Sequence, residues 1–361
     1  MFTRATLKNA PSDGVVTMLA PMVRCGTLPL RLLSLRYGAD IVYTEELIAH
    51  KLKKCTRAVN EALGTVDFWC GDELVLRTCA EERLRCVVQI GAADADVAVA
   101  AVRVIAADVV AVDLNMGCPK HFSVHGGMGA ALLKDGGVRA AAILEALISA
   151  FPHLSISCKV RLLATVDDSV ALLRRLEATG VWCIAVHARE AHERPSERAH
   201  WSTVKQVLDA GQFDVPIVLN GDLFEREHIP AACAKSGCRA VMVARGALRN
   251  ASIFAPTPVP LPQFWRDYVN AAIEWDASAV NIKYSLVRML SEVPRLAGDA
   301  AVTFTETMAK VRAAKTIAQI CSAVGITAPT PTPLTTTGKR SVEAPPESSE
   351  KRRAVAEGED A

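Results

Sequence analysis

Short runs of apolar, often β-branched residues alternate with amphipathic stretches along most of this chain. The runs have the length of buried strands and cover residues 15–22, 41–46, 86–91, 109–115, 156–162, 183–189, 217–222 and 240–245. Residues 94–106, 137–150, 168–179 and 202–210 between them place apolar side chains at intervals of three and four, as amphipathic helices do. Alternating β and α units of this number and size predict an α/β fold, a (β/α)8 TIM barrel.

An open, doubly wound sheet shows the same alternation and is the alternative to the barrel. The phosphate-binding motif G-x-G-x-x-G of that fold is absent. The glycine cluster at 126–129 has Leu132 where the last glycine would fall. The barrel is therefore the favoured interpretation.

Nearly every predicted strand ends in residues that suit chemistry better than packing. These residues are Ala20-Pro21-Met22, Glu45-Glu46, Gln89, Asn115, Lys159 with Arg161, His187, Asn220-Gly221-Asp222 and Arg245-Gly246. A barrel gathers all its strand ends in one cup, and its last two βα loops often bind phosphate. Arg245 and the backbone amides beside Gly221 and Gly246 suit such an anion.

The turn around Cys118 is the strongest single candidate for a reactive site. It directly follows the strand predicted at 109–115, and Gly117 and Pro119 bracket the thiol. A lone cysteine is more often a small core residue. A position just beyond a strand end, beside the amide of Asn115, favours a catalytic role instead.

The composition predicts four segments. Residues 1–14 form an N-terminal extension that lacks the apolar core of a secretory signal, and residues 15–255 form the barrel. A proline-rich linker opens a helical domain at 256–326, where Lys283 and Tyr284, beside Asn281, suit either a phosphate backbone or a solvated basic face. Residues 327–361 are rich in Thr, Pro, Ser, Glu and Lys and predict a disordered tail.

Charge and cysteine usage limit the class of protein. The formal net charge is +2, which does not require a polyanionic partner. The 11 cysteines include no C-x-x-C pair and no partners at zinc spacing, so we expect reduced thiols, no metal and an intracellular protein. We expect the cytoplasm, with the nucleus or an organelle left open, and no membrane segment, because charged residues interrupt the longest apolar stretch.

The ordered motifs resemble those of the tRNA-dihydrouridine synthases across residues 15–325. They are Leu19-Ala20-Pro21-Met22-Val23, Asn115-Met116-Gly117-Cys118-Pro119, Gly126-Gly127-Met128-Gly129-Ala130-Ala131-Leu132, Lys159-Val160-Arg161, Asn220-Gly221-Asp222 and Val243-Ala244-Arg245-Gly246. Three further stretches are similar to the eukaryotic position-20 branch: Leu28-Pro29-Leu30-Arg31-Leu32-Leu33, Tyr37-Gly38-Ala39-Asp40-Ile41-Val42-Tyr43 and Asn281-Ile282-Lys283-Tyr284. Animal members of that branch carry an added double-stranded-RNA-binding domain, which we do not find here.

The resemblance implies an FMN enzyme that reduces the C5–C6 double bond of a D-loop uridine in tRNA, with NADPH as reductant. It implies hydride transfer from reduced FMN to C6 and proton transfer from Cys118 to C5. The FMN-binding positions that it implies are Pro21, Met22, Val23, Gln89, Lys159, His187, Asn220, Gly221, Asp222, Ala244 and Arg245. A cysteine thiol is mostly protonated at neutral pH, which suits a general acid. Asn115 and Arg161 are the candidates for substrate contact.

Two other functions stay open on the sequence alone. One is a flavin-dependent TIM-barrel oxidoreductase that acts on a small pyrimidine-like molecule. The other is an RNA-binding protein on a barrel that no longer reacts. Oligomeric state is undetermined. The helical domain and its basic residues favour tRNA as the partner.

Overall fold

The computed structural model describes residue 7, residues 14–294 and residues 297–328. Most of the predicted N-terminal extension and nearly all of the predicted disordered tail therefore lie outside the described residues. The strands are β1 (Val16–Leu19), β2 (Ile41–Tyr43), β3 (Leu47–Ile48), β4 (Thr56–Asn60), β5 (Thr65–Cys70), β6 (Glu73–Cys79), β7 (Cys86–Gly91), β8 (Ala111–Asn115), β9 (Ser155–Arg161), β10 (Ile184–His187), β11 (Ile217–Asn220) and β12 (Ala240–Val243).

Helices alternate with these strands and then continue alone to the end of the described chain. They are α1 (Leu28–Arg36), α2 (Ala49–Leu52), α3 (Ala95–Ile105), α4 (His121–His125), α5 (Val138–Ala150), α6 (Val166–Ala178), α7 (Trp201–Gly211), α8 (His228–Ser236), α9 (Arg245–Arg249), α10 (Leu261–Glu274), α11 (Ala279–Ser291), α12 (Gly298–Ala313) and α13 (Ile317–Val324). Two 3-10 turns cover Gly129–Leu133 and Ala251–Phe254. Side chains cap several helices: Asp94 accepts from the N–H of Val97, and Thr165 from that of Asp168.

Eight parallel strands close into a barrel, which confirms the predicted fold. The strand order is β2, β1, β12, β11, β10, β9, β8, β7, and β7 pairs again with β2. An open doubly wound sheet is thereby excluded, because such a sheet has two unpaired edges. All eight predicted strand positions carry a barrel strand, each starting within two residues of the expected position.

The barrel has one core inside the strands and one between strands and helices. Met18, Ile41, Tyr43, Trp182 and Met242 are buried together in the inner cluster. The alternate side chains of the same strands pack against the surrounding helices in the outer cluster. Strands that are apolar on both faces account for the continuous apolar runs of the sequence.

A three-stranded antiparallel sheet, β4–β5–β6, interrupts the barrel between β3 and β7. The sequence analysis did not predict this insert. Its strands are half-buried and mixed in polarity, with Arg77 paired to Asp67 across β5 and β6. Apolar and polar residues do not alternate regularly along such strands, because packing against neighbouring side chains stabilises them. The sequence pattern therefore gives little indication of a strand.

The helical segment α10–α13 packs against the first βα unit and the insert. Tyr37 donates its hydroxyl hydrogen bond to Asp267, and Arg77 Nη1 donates to the Trp275 carbonyl at 2.8 Å. Asn281 Nδ2 donates to the Arg24 carbonyl at 3.1 Å. None of the described helices is both long enough and apolar enough to cross a lipid bilayer.

Candidate functional site

The barrel brings the predicted polar strand ends to one rim. Strand register pairs Asn115 with Lys159, Arg161 with His187, and His187 with Asn220. Gln89 pairs one layer deeper with Asp113. The strand ends that the sequence singled out are therefore direct neighbours around the rim.

The turn that carries Cys118 is held by hydrogen bonds on three sides. Asn115 Oδ1 accepts from the N–H of Gly117 at 2.9 Å and from that of Cys118 at 3.1 Å. Arg161 Nε donates to the Gly117 carbonyl at 2.8 Å, and the N–H of Ala130 donates to the Cys118 carbonyl at 2.9 Å. The thiol is half-buried at the rim, in a turn whose backbone is fixed.

Gly129 explains why the G-G-M-G motif accompanies the cysteine. Its φ of +57° lies in the left-handed region, and a Cβ there would lie 2.6 Å from the Cys118 carbonyl oxygen and 2.4 Å from Ser123 Oγ. Any side chain would thus push against the reactive turn. The glycine allows the 3-10 turn to pack directly on Cys118.

A buried hydrogen-bond chain supports this turn from below. Gln89 Oε1 accepts from Asn115 Nδ2 at 3.3 Å, and Gln89 Nε2 donates to Asp113 Oδ2 at 2.8 Å. Ser157 Oγ donates to Asp113 Oδ1 at 2.7 Å. Burial raises the pKa of Asp113 to about 6, although the hydrogen bonds from Gln89 and Ser157 oppose the shift.

Asp113 was missed as a functional residue by the sequence analysis. The available signal was an acidic residue in the middle of a buried β-branched strand, where an unpaired charge is costly. Gln89, predicted to bind FMN, is itself buried and uses both ends of its amide within the protein.

Lys159 stands next to this chain with its ammonium group available. Burial lowers the pKa of Lys159 to about 8, and the neighbouring Arg161 charge lowers it further, whereas Asp113 opposes the shift. In the described part of the chain, Nζ of Lys159 makes no hydrogen bond or salt bridge, while Arg161 donates to two carbonyls. The site thus contains a cation to which none of the described residues is hydrogen-bonded or ion-paired.

The rim at β10–β12 is built around the carboxylate of Asp222. Asp222 Oδ1 accepts from Arg189 and, at 2.9 Å, from Arg245, while Oδ2 accepts from the N–H of Ala199 at 2.7 Å. Arg189 is 2% exposed and Arg245 31%, so Arg245 is the more accessible of the two cations. Two guanidinium groups share one carboxylate, which leaves net positive charge for a phosphate.

His187 and Gly221 lie beside this cluster. Burial and the surrounding Lys159, Arg161, Arg189 and Arg245 charges lower the pKa of His187 to about 2, so its ring is neutral. Its Nε2 lies 3.1 Å from Arg189 Nη1. Arg189 was also missed from the sequence, where its only signal was its position as the last residue of the run predicted as a strand at 183–189.

Other predicted residues occupy the rim in less specific ways. Asn220 is buried and donates to the Met242 carbonyl at 2.7 Å, and Gly221 has a φ of +126°, where a Cβ would lie 3.3 Å from the His187 ring. After β1, Pro21 and Met22 are half-buried and Val23 is 42% exposed. Ala244 is half-buried at the start of α9.

Of the polar residues predicted on the helical domain, Asn281 and Tyr284 contact the barrel, whereas Lys283 bonds within the domain. Lys283 Nζ donates to the Ala314 carbonyl at 2.9 Å, within the helical domain. Tyr284 lies 4.0 Å below the guanidinium of Arg24, whose carbonyl accepts from Asn281. Within the described ranges, no group of three His, Cys, Asp or Glu side chains is placed to hold a metal ion.

Comparison with known proteins identifies the family to which this chain is similar. The family model described as dihydrouridine synthase (Dus) matches residues 18–293. A Schizosaccharomyces pombe protein named tRNA-dihydrouridine(20) synthase (NAD(P)+) is 40% identical over 283 residues, which cover 75% of this chain and 59% of that protein. A Saccharomyces cerevisiae protein of the same name is 36% identical over 294 residues, 76% of each chain.

A relative of lower sequence identity carries a similar name. A human protein named tRNA-dihydrouridine(20a/20b) synthase (NAD(P)+)-like is 28% identical over 284 residues, 78% of this chain and 84% of that protein. The family-model match at residues 18–293 begins within β1, covers the rest of the barrel and extends through α11. It therefore contains every rim residue described above.

Proposed function

The chain belongs to the dihydrouridine synthase family, and on that premise we propose that it reduces the C5–C6 double bond of a uridine in tRNA. The product is 5,6-dihydrouridine, the cofactor is FMN and the reductant is NADPH. Two yeast relatives are named for position 20, which supports that D-loop position as the target.

The observation that carries the proposal is the fixed turn at Cys118 beside the unpartnered Lys159. Asn115, Arg161 and Ala130 hydrogen-bond to the backbone of the Cys118 turn and so fix the point from which the thiol extends, as proton transfer to a carbon atom requires. Cys118 then acts as the general acid that protonates C5. The buried chain from Asp113 through Gln89 to Asn115 prevents the turn from moving.

The residues of the rim fit FMN. The Lys159 ammonium, for which the described residues offer no anion within salt-bridge distance, suits an electron-rich edge of the flavin ring. Arg245, with Gly221 and Gly246 close by, suits the phosphate. Bound FMN supplies the hydride chemistry between NADPH and C6 of the uracil.

Asn115 and Arg161 stay candidates for substrate contact, and both also hold the Cys118 turn in place. Both already hold the Cys118 turn, through Asn115 Oδ1 and Arg161 Nε. Arg161 Nη2 has no hydrogen-bond partner among the described residues and is available to a uracil carbonyl. Each residue would then couple substrate position to the position of the thiol.

We propose the barrel at 15–255 as the FMN domain and the helices at 256–326 as the part that binds the body of the tRNA. A uridine that lies flat on the flavin must leave its stack, which costs a few kcal/mol. Contacts to the RNA backbone supply that free energy, so we expect binding to weaken with salt.

Two measurements test the proposal: the visible absorption spectrum of the purified protein and the positions of dihydrouridine in tRNA. Purified protein should show a flavin absorption spectrum, and tRNA from cells lacking the protein should lose dihydrouridine at one D-loop position. Incubation of that tRNA with protein and NADPH should restore it. A flavin spectrum with unchanged dihydrouridine, and turnover of free uridine at the rate of tRNA, would instead support a small-molecule oxidoreductase.

A further inference from the structure

A cavity of about 670 Å³ lies beside the barrel rim and contains neither Cys118 nor Lys159. Its walls come from the loops after β1 and β2, from the antiparallel insert, and from the junction of α10 and α11. Its volume is in the range of sites that bind small molecules or single nucleotides. Arg24, at its edge, directly follows Val23 of the proposed FMN-binding segment, so cavity and reaction site are adjacent.

Four side chains of these walls carry a buried polar atom without a hydrogen-bond partner among the described residues. The atoms are Thr27 Oγ1, Glu46 Oε1, Trp275 Nε1 and Asn281 Oδ1. An unpaired buried polar atom is unfavourable, and native proteins have few of them. Because the atoms are covered, a ligand that pairs with them must bind with a small movement of the wall.

The charges of the cavity exclude a phosphate from its interior. Three cations in the wall are already paired with carboxylates: Lys51 with Glu73, Arg31 with Glu82, and Arg77 with Asp67. Glu45 and Glu46 also line the cavity, although Glu45 Oε2 already accepts from the Arg24 N–H. Burial raises the pKa of Glu46 to about 7, and a hydrogen bond with Asn115 opposes that shift. The interior thus favours an uncharged group that carries N–H donors.

Arg24, at the edge of the cavity, favours an anionic group there. It is exposed, forms no salt bridge with any other described residue, and rests on the ring of Tyr284. Its backbone is fixed by Glu45, which accepts from its N–H at 2.6 Å, and by Asn281, which donates to its carbonyl. A cation outside an acidic aromatic cavity matches a nucleotide whose base enters while its phosphate stays outside.

We infer that this cavity binds the base of a tRNA nucleotide adjacent to the target uridine. The inference rests on the proposed function, since it takes the RNA of that reaction as the ligand. The N–H groups of the base donate to Glu46 and Asn281, and a base acceptor receives the Nε1–H of Trp275. Filling this cavity helps to keep the target uridine out of its stack.

Two conservative variants of the full-length protein test the inference. Trp275→Phe removes the unpaired N–H together with part of the indole ring, a loss of size that a second Trp→Phe variant can control for, and Thr27→Val removes only the unpaired hydroxyl. We expect each to weaken tRNA binding about threefold to tenfold, the effect of one lost hydrogen bond. We expect the melting temperature of Thr27→Val to be unchanged or higher, because the hydroxyl has no partner without ligand.

Trp265→Phe is the matched control. Trp265 Nε1 is also buried and unpaired among the described residues, but Trp265 packs against Phe304 inside the helical domain and does not line the cavity. Its tRNA affinity should stay within about twofold of wild type. An equal loss in this control, or no loss in Trp275→Phe and Thr27→Val, would overturn the inference.

The ligand is identified with RNA hairpins that carry the target uridine and an abasic residue on its 5′ or 3′ side. At one of the two abasic positions, wild type should bind the abasic hairpin more weakly than the intact hairpin. Trp275→Phe should bind the two hairpins equally well. Equal sensitivity of both proteins contradicts the inference. A raised KM for NADPH with unchanged RNA affinity in Trp275→Phe also contradicts it, and assigns the cavity to the adenine of the reductant.

These measurements separate the inference from the proposed function. RNA affinity is measured without NADPH, whereas dihydrouridine formation by wild type is measured in the same preparation. A protein that binds the hairpin base-dependently but forms no dihydrouridine keeps the cavity assignment and loses the proposed reaction. A protein that forms dihydrouridine but binds the hairpin independently of the flanking base keeps the proposed reaction and loses the cavity assignment.

Discussion

The two halves of the barrel rim hold their polar groups in different ways. On β7–β9, amides and hydroxyls form a chain that ends on one buried carboxyl, Asp113, and fixes the Cys118 turn. On β10–β12, Arg189 and Arg245 surround Asp222 and leave excess positive charge. Under the proposed function, the first half positions the Cys118 thiol and the second binds the FMN phosphate.

This difference reverses the effect of pH on the two halves. The pKa of Asp113 is raised, so acid favours the folded state of the first half. The pKa of His187 is lowered, so acid disfavours the folded state of the second half. Four substitutions test the comparison, in order of decreasing expected effect.

Replacing the positioned group should abolish chemistry without affecting the anion-binding half. Cys118→Ala should keep its FMN and lose turnover by about 10²- to 10⁴-fold, the effect of a missing general acid. Flavin absorbance and single-turnover dihydrouridine formation measure the two quantities. Cys233→Ala, at a half-buried position of α8, is the control and should stay within about twofold of wild type. Unchanged turnover in Cys118→Ala would refute the assigned role.

Removing the central carboxylate should disrupt the second half alone. Asp222→Ala leaves the buried Arg189 without its carboxylate, which should lower the free energy of unfolding by roughly 2 to 4 kcal/mol and reduce FMN content. Urea unfolding and flavin absorbance measure both. Asp209→Ala breaks an exposed pair with Lys205 and should cost less than about 1 kcal/mol. Equal losses in the two variants would show that the Asp222 cluster has no special role.

Neutralising Asp113 should remove one pH dependence. The folded carboxyl has a pKa of about 6, above its ordinary value, so it contributes stability at acidic pH that is lost as pH rises from about 4 to about 6. Asp113→Asn should therefore gain on wild type by roughly 2 kcal/mol between pH 4 and pH 7. Urea unfolding across that range measures the difference. Parallel curves for the two proteins would contradict the shift.

His187→Gln should show the opposite sign and the smallest effect. The neutral folded ring has a pKa of about 2, so wild type loses stability as pH falls below about 6.5, by up to about 1.4 kcal/mol per pH unit. Glutamine keeps an acceptor for Arg189 but does not titrate. The variant should gain on wild type between pH 6.5 and pH 5.5, and a gain that instead grows above pH 6.5 would refute the assignment.

The eight barrel strands and the Cys118 turn were predictable because their signals are local. A buried parallel strand is a continuous apolar run, and Gly117 and Pro119 mark the turn within a few residues of Cys118. The antiparallel insert was missed because its strands are half-buried and mixed in polarity. Asp113 and Arg189 were missed because their importance depends on distant partners.

The sequence alone determined the order of the eight barrel strands, the motif residues and the residue types at each strand end. Only the tertiary structure decided what those side chains do. Arg161 reaches Gly117 across 44 positions and Arg189 reaches Asp222 across 33, separations at which spacing carries no signal. Closure of the barrel places these residues within hydrogen-bond distance, and burial there changes the pKa values of Asp113, Lys159 and His187.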